Sequence, residues 1–199
     1  MLRASNLLAC AALLACAPAW PAAPKDEEPP EVRYAAMLER EYGPLGTTTE
    51  QILGREPTHE PVTIVGALVY RLRSKPLARL SLTERKLLAV YGLKEEVDNG
   101  GFSQYFSGPV GDGASLALQA LRDMQAAQLV KTVQKALAVF PAAKPPADQV
   151  RRGKLVDGMK RRAQGVWAVC DAEFYLREED LAKFAFAYVK KNRAQISLP

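Results

Sequence analysis

The chain is poor in the residues from which most catalytic and metal centres are made. Among 199 residues there is one histidine, and there are three cysteines. His59 stands between Pro57 and Pro61 in an expected loop, which excludes a His-rich metal site and a histidine-centred triad built on a rigid element. Two of the cysteines, Cys10 and Cys16, fall within the first 24 residues, so only Cys170 remains for the folded part. One thiol closes no internal disulfide. No apolar run reaches the roughly 20 residues of a membrane-spanning helix. No strand with two-residue alternation and a hairpin turn is evident, and no internal repeat. These gaps discard zinc enzymes, disulfide scaffolds and polytopic membrane proteins.

What is present suits one domain. The hydrophobic fraction of 48% is that of a globular chain, and a 150-residue domain buries roughly 70% of its unfolded surface. The first residues read as an address. Arg3 supplies a charge, Leu7 to Ala15 is apolar apart from the Cys10 thiol, and Cys16-Ala17-Pro18-Ala19 offers small residues. This is the layout of a secretory signal. Two endings are compatible with it: a cut after Ala19 that leaves Trp20 first, or a lipobox at Leu13-Leu14-Ala15-Cys16 with Cys16 as the lipidation candidate. Export to a bacterial periplasm, or anchoring in the envelope, is expected from either. The organisation read from the sequence is a signal over residues 1–19, an acidic linker over 20–60 with a short helix near Tyr34 to Tyr42, and a helical domain over 61–199.

The formal charge of +5 is unevenly spread. Residues 20–60 carry 4 basic and 9 acidic groups, whereas residues 61–170 carry 17 basic and 8 acidic ones. After residue 60 the apolar positions recur at helical spacing, so the fold class is all-α, a single multi-helix domain. Val62 to Arg73 reads as a helix, with a strand as the alternative. Ser81-Leu82-Thr83-Glu84 fits a capping box and opens a helix to about Asp98, stopped by Asn99-Gly100-Gly101. Asp112 is the expected N-cap of a helix from about Gly113 to Met124. A further helix is expected to end at Phe140, before Pro141, and another to start near Asp148. In that one Val156, Met159, Ala163, Val166 and Cys170 form a buried stripe. Leu181, Phe184, Tyr188 and Val189 form the stripe of the last helix.

Three features carry candidate function. The segment Glu95 to Phe106 joins carboxylates and amides to a double glycine and three aromatics. It reads either as a polar pocket or partner-binding edge, or as a capped helix that plugs Phe102, Tyr105 and Phe106 into the core. Gly108 to Gly113 lacks the strand before it and the Gly-Lys-Ser/Thr after it that a phosphate loop needs, so it reads as a turn. Arg151, Lys154, Arg161 and Arg162 share one side of a helix, largely away from the apolar stripe, and with Arg152 form an expected basic face. Such a face attracts phosphates, anionic lipid or an acidic protein. Export and the lack of a stacking platform argue against nucleic acid. No metal or cofactor is implied.

The run Glu96, Val97, Asn99, Gly100, Gly101, Phe102, Gln104, Tyr105, Phe106 resembles the centre of the DNA mimic protein family, in its C-terminal domain. Gly111-Asp112 resembles the family's turn, Ala117 to Leu121 begins its following helix, and Asp171, Phe174 and Tyr175 match its closing D-x-x-F-Y step. The resemblance covers roughly residues 60–195. It implies an all-helical domain that binds proteins and has no established chemistry; a named member resembles DNA in its acidic surface and occupies a DNA-binding repressor. Two departures matter. Ser107-Gly108-Pro109-Val110 replaces the usual N-S-S before G-D, and the domain is basic where a mimic of DNA is acidic. The expectation is therefore an exported or lipid-anchored protein-binding module without catalysis. Its expected partner is an acidic protein, with a second copy of the chain as a further candidate. The alternatives are a hydrolase with a Glu96/Asn99/Gln104 pocket and a cytosolic repressor antagonist.

Overall fold

Ser81 starts the central helix as its sequence dictates. Its hydroxyl accepts from the Glu84 amide at 3.1 Å, and the Glu84 carboxylate accepts from the Ser81 amide at 2.7 Å. In this computed structural model, which describes residues 29–199 apart from the side chains of Lys160, Glu178 and Glu179, eight α-helices follow one another. They are α1 (Pro30–Tyr42), α2 (Thr49–Leu53), α3 (Pro61–Arg73), α4 (Leu82–Ser107), α5 (Ala114–Asp123), α6 (Ala127–Leu137), α7 (Gln149–Tyr175) and α8 (Glu178–Lys191). Short 3₁₀ turns join several of them, and no strand occurs among the described residues. The expected signal segment and Cys16 lie outside the described residues.

Pro61 decides the ambiguity at residues 62–73. A proline at the first helical position presets φ and lacks only an amide that the helix leaves unused, and α3 begins there. Ile64, Val65, Leu68 and Leu72 then fall on one face and are wholly buried. α4 lies at the centre, packed on α5 and on α7, while α6 covers α7 and α3 packs on α8. Leu45 and Ile52, in the stretch read as a linker, belong to the core at 3% and 0% exposure. α1 buries no residue of its own but is tied to α3 by Glu39, which accepts from Tyr70 and Arg71.

Two boundaries differ from the sequence reading. α5 starts at Ala114, with Gly113 at the N-cap and no side-chain cap. Asp112 is not that cap, because it sits in the 3₁₀ turn Pro109–Gly113 and turns to Arg152. The helix expected to reach Phe140 ends at Leu137, where Ala138 caps it. Phe140 itself is extended and buried, and it fills the core from outside any helix. Gly100 and Gly101 interrupt α4 as expected, and Phe102 to Phe106, expected as a short helix or tight turn, is helical and runs on to Ser107.

Candidate functional site

The break in α4 is where the motif residues meet. Gly101 has φ +74° and ψ −175°, a combination open essentially to glycine alone. A Cβ there would strike the Asp171 carboxylate. A break in a helix orphans amides on one side and carbonyls on the other. α7 supplies both missing partners from one face. Asp171 Oδ1 accepts from the Phe102 amide at 2.8 Å, and the Tyr175 hydroxyl, one turn on, donates to the Val97 carbonyl at 2.7 Å. Between them Phe174 meets Phe102 edge-on, with ring centroids 5.9 Å apart. The run from Asp171 to Tyr175 and the double glycine are thus two halves of one joint. Burial pushes the Asp171 carboxyl up, and the Phe102 amide offsets part of that.

Past the joint the second half of α4 delivers aromatics to the core. Phe106 is their hub, 4.9 Å from Phe140, 5.1 Å from Tyr105 and 5.7 Å from Trp167 between ring centroids. Trp167 is the largest fully buried side chain, and its indole N–H donates to the Ala136 carbonyl at 3.1 Å, tying α7 to α6. The sequence reading did not single it out. Its signal was there: Trp167 falls one residue after Val166 and four after Ala163, on the edge of the predicted stripe.

Arg152 corrects the reading of the basic face. It is 0% exposed and spends all five guanidinium N–H groups inside the fold. Nε donates to Phe106 O at 2.8 Å. Nη1 donates to Pro146 O at 2.7 Å and Ala147 O at 3.1 Å. Nη2 donates to Gly108 O at 2.8 Å and faces Asp112 Oδ1 at 2.7 Å. The physical reason is that α4 ends at Ser107 and α7 begins at Gln149, and the guanidinium fork collects carbonyls from the chain around both ends, Gly108 O also accepting from the Gly111 amide at 3.3 Å. Gly111 is required by the same packing, since a Cβ there would stand 2.6 Å from Tyr105 O and 3.0 Å from Arg152 Nε. Arg151, Lys154, Arg161 and Arg162 do lie exposed on α7 and form no ion pair among the described residues.

The remaining carboxylates are accounted for. Glu95 pairs with Arg73 and Asp98 with Lys94. Glu96 is 5% exposed and accepts from Gln104 Nε2 at 3.0 Å. Asn99 is exposed. Glu96 and Gln104 therefore meet, but Asn99 does not join them. Two surface clefts, of about 420 and 220 Å³, are lined by none of the three. Cys170 is fully buried, and burial pushes its thiol up to about 11. No group of three or more metal-ligating side chains occurs among the described residues.

These features define a class: a small all-α domain whose motif residues hold its own backbone together. The chain belongs to the DMP19-like protein family, whose model matches residues 78–192, from just before α4 to just past the end of α8. Comparison with curated proteins and with solved structures gives no match.

Proposed function

We propose that this member of the DMP19-like family is an exported or lipid-anchored protein-binding module with no catalytic role, and that it does not mimic DNA. The observation that carries the reading is the sign of its charge. Residues 61–170 hold 17 basic and 8 acidic groups, and the outer face of α7 presents Arg151, Lys154, Arg161 and Arg162 to solvent. A positive DNA-binding surface would be repelled by that face, whereas an acidic protein surface is attracted. The motif residues support the same reading from the other side, because Asp171, Tyr175 and Gln104 are engaged within the fold. The signal layout of the first 24 residues supports export. A pull-down from envelope extract tests the binding face: the full chain should recover an acidic protein that the quadruple variant R151E/K154E/R161E/R162E loses. Equal recovery removes the face from the proposal. Mass spectrometry of the mature protein tests export, with a diacylated Cys16 or a free Trp20 expected and an intact Met1 against it.

A further inference from the structure

The larger cleft lies at the other end of α7 from Arg151, between that helix's last turn and α6. Lys131, Thr132 and Lys135 line it from one face of α6, and Glu173, Leu176 and Arg177 close it from α7 and the turn that follows. Its volume of about 420 Å³ lies within the range of about 300–1,000 Å³ typical of small-molecule sites. Of its described ionised side chains three are positive and one is negative. Glu173 Oε1 accepts from Lys135 Nζ at 2.8 Å and Glu173 Oε2 accepts from the Thr132 hydroxyl at 3.2 Å. The carboxylate thus fixes one ammonium at the cleft wall while neutralising a single charge. Lys131 forms no ion pair among the described residues. Arg177 faces Asp180 only at 3.8 Å, on an exposed surface, where such a pair contributes little. At the rim Leu176 is 85% exposed, an apolar surface that no packing within the fold explains.

We propose that this cleft binds a small organic oxyanion, a phosphate or carboxylate group carried on a compact apolar body. The anion sits between Lys131, Lys135 and Arg177, where Arg offers a planar fork and the lysines point charges. The apolar body rests on Leu176. This site is separate from the partner face on the first half of α7, and its test does not depend on that face.

The test is a titration of the full chain, followed by amide shifts in NMR, with phenyl phosphate, benzoate, inorganic phosphate and uncharged benzyl alcohol. Phenyl phosphate or benzoate should give saturable shifts at Lys131, Thr132, Lys135 and Leu176, and the tighter of the two identifies the head group. Benzyl alcohol should give none. Lys131→Gln and Arg177→Gln, both exposed, should each weaken the aromatic anion by about tenfold. Leu176→Ser should reduce it to the level of inorganic phosphate. Glu173→Gln removes the carboxylate that lines the cleft and should tighten binding, an outcome that loss of structure would not produce. Lys191→Gln, at the far end of α8, serves as the charge control and should change nothing. The proposal is overturned by the absence of saturation at about 10 mM anion, by an equal response to benzyl alcohol, by shifts confined to residues 151–162, or by unchanged affinity in Lys131→Gln.

Discussion

Arg152 shows how much one residue's role depends on its surroundings. In sequence it is one of several cations on a helix; in the fold it is a buried cation with five acceptors, four of them backbone carbonyls. Removing it takes the donor from Phe106 O in the buried interior and from the part-buried carbonyls of Pro146, Ala147 and Gly108, at a cost of about 1–3 kcal/mol for a carbonyl that water cannot reach. Arg152→Met should therefore destabilise the protein by at least about 3 kcal/mol in urea unfolding. Arg152→Lys should recover only part of this, since an ammonium has three donors and no fork. Asp112→Asn should cost far less, because that side chain is about half exposed and its partner keeps four other acceptors. Cys170 makes the converse case of a reactive group silenced by its place. With its thiol pushed up to about 11 by burial, little thiolate exists at neutral pH. In native protein at pH 7.5 (about one unit below the usual thiol value) Cys170, read by peptide mass spectrometry, should resist iodoacetamide and take up label only on unfolding; rapid native labelling of Cys170 would contradict the buried placement.

At the scale of elements, the joint between α4 and α7 fixes the position of the aromatic core. Phe102 and Phe106 reach Phe174, Phe140 and Trp167 only because α4 is re-aimed at Gly101. Gly101→Ala should thus cost about 3 kcal/mol, from the disallowed backbone and the collision with Asp171. Tyr175→Phe removes the hydroxyl that donates to the Val97 carbonyl and should cost about 1 kcal/mol. Hydrogen exchange should report the second change locally, as faster exchange of amides flanking the break with the rest of α4 unaffected. Uniform acceleration along the whole chain would show that the joint does not act locally. Much of this element plan was legible in the sequence. The capping box at Ser81, the stop at Gly100-Gly101, the helix start near Asp148 and the stripe from Val156 to Cys170 each follow from local chemistry within a few residues. What could not be read was long-range pairing. Nothing near Asp171 says that its carboxylate takes the amide of Phe102, 69 residues away. Nothing near Arg152 says that it points inward, because helical angle places it beside the apolar stripe but does not say that carbonyls wait there. Asp112 was misread for the same reason: a good local capping residue was claimed by a distant cation. The family motif was found by its letters, whereas its structural logic needed both helices together.

For the whole molecule, the two ends of the described chain are fastened to the start of α4 and its neighbours, and one buried carboxylate governs the C-terminal fastening. Glu84 is 0% exposed. It accepts from Ser81 N at 2.7 Å, from Lys75 Nζ at 2.8 Å and from Ser197 N at 2.8 Å. Lys75 Nζ also donates to Ser197 O at 2.7 Å, Ser81 Oγ to Gln195 O at 2.8 Å and Thr49 Oγ1 to Ile196 O at 2.9 Å. The last residues are thereby strapped across α2 and the entry to α4, with Ile196 in the core. Burial alone would raise the Glu84 carboxyl, but the Lys75 ammonium and the amides of Ser197 and Ser81 outweigh it and hold it below the ordinary glutamate value. A depressed folded-state value means that the unfolded chain binds the proton more readily. The stabilisation is therefore complete above the unfolded carboxylate range, at about pH 4–5, and is lost as pH falls through the lower folded value. Asp171 has the opposite sign, since its raised value makes the folded state the better proton binder. Its contribution rises as pH falls through that raised value, and it offsets part of the loss at Glu84. Glu84→Gln separates the two. It keeps the shape and removes the titration, so its melting temperature should lie below that of the native chain at pH 7, and the difference should narrow as pH falls from about 5 toward 3. Exchange of the Ser197 amide should accelerate over the same interval in the native chain alone. A melting difference that stays constant with pH would mean that Glu84 does not carry the acid response of the strap.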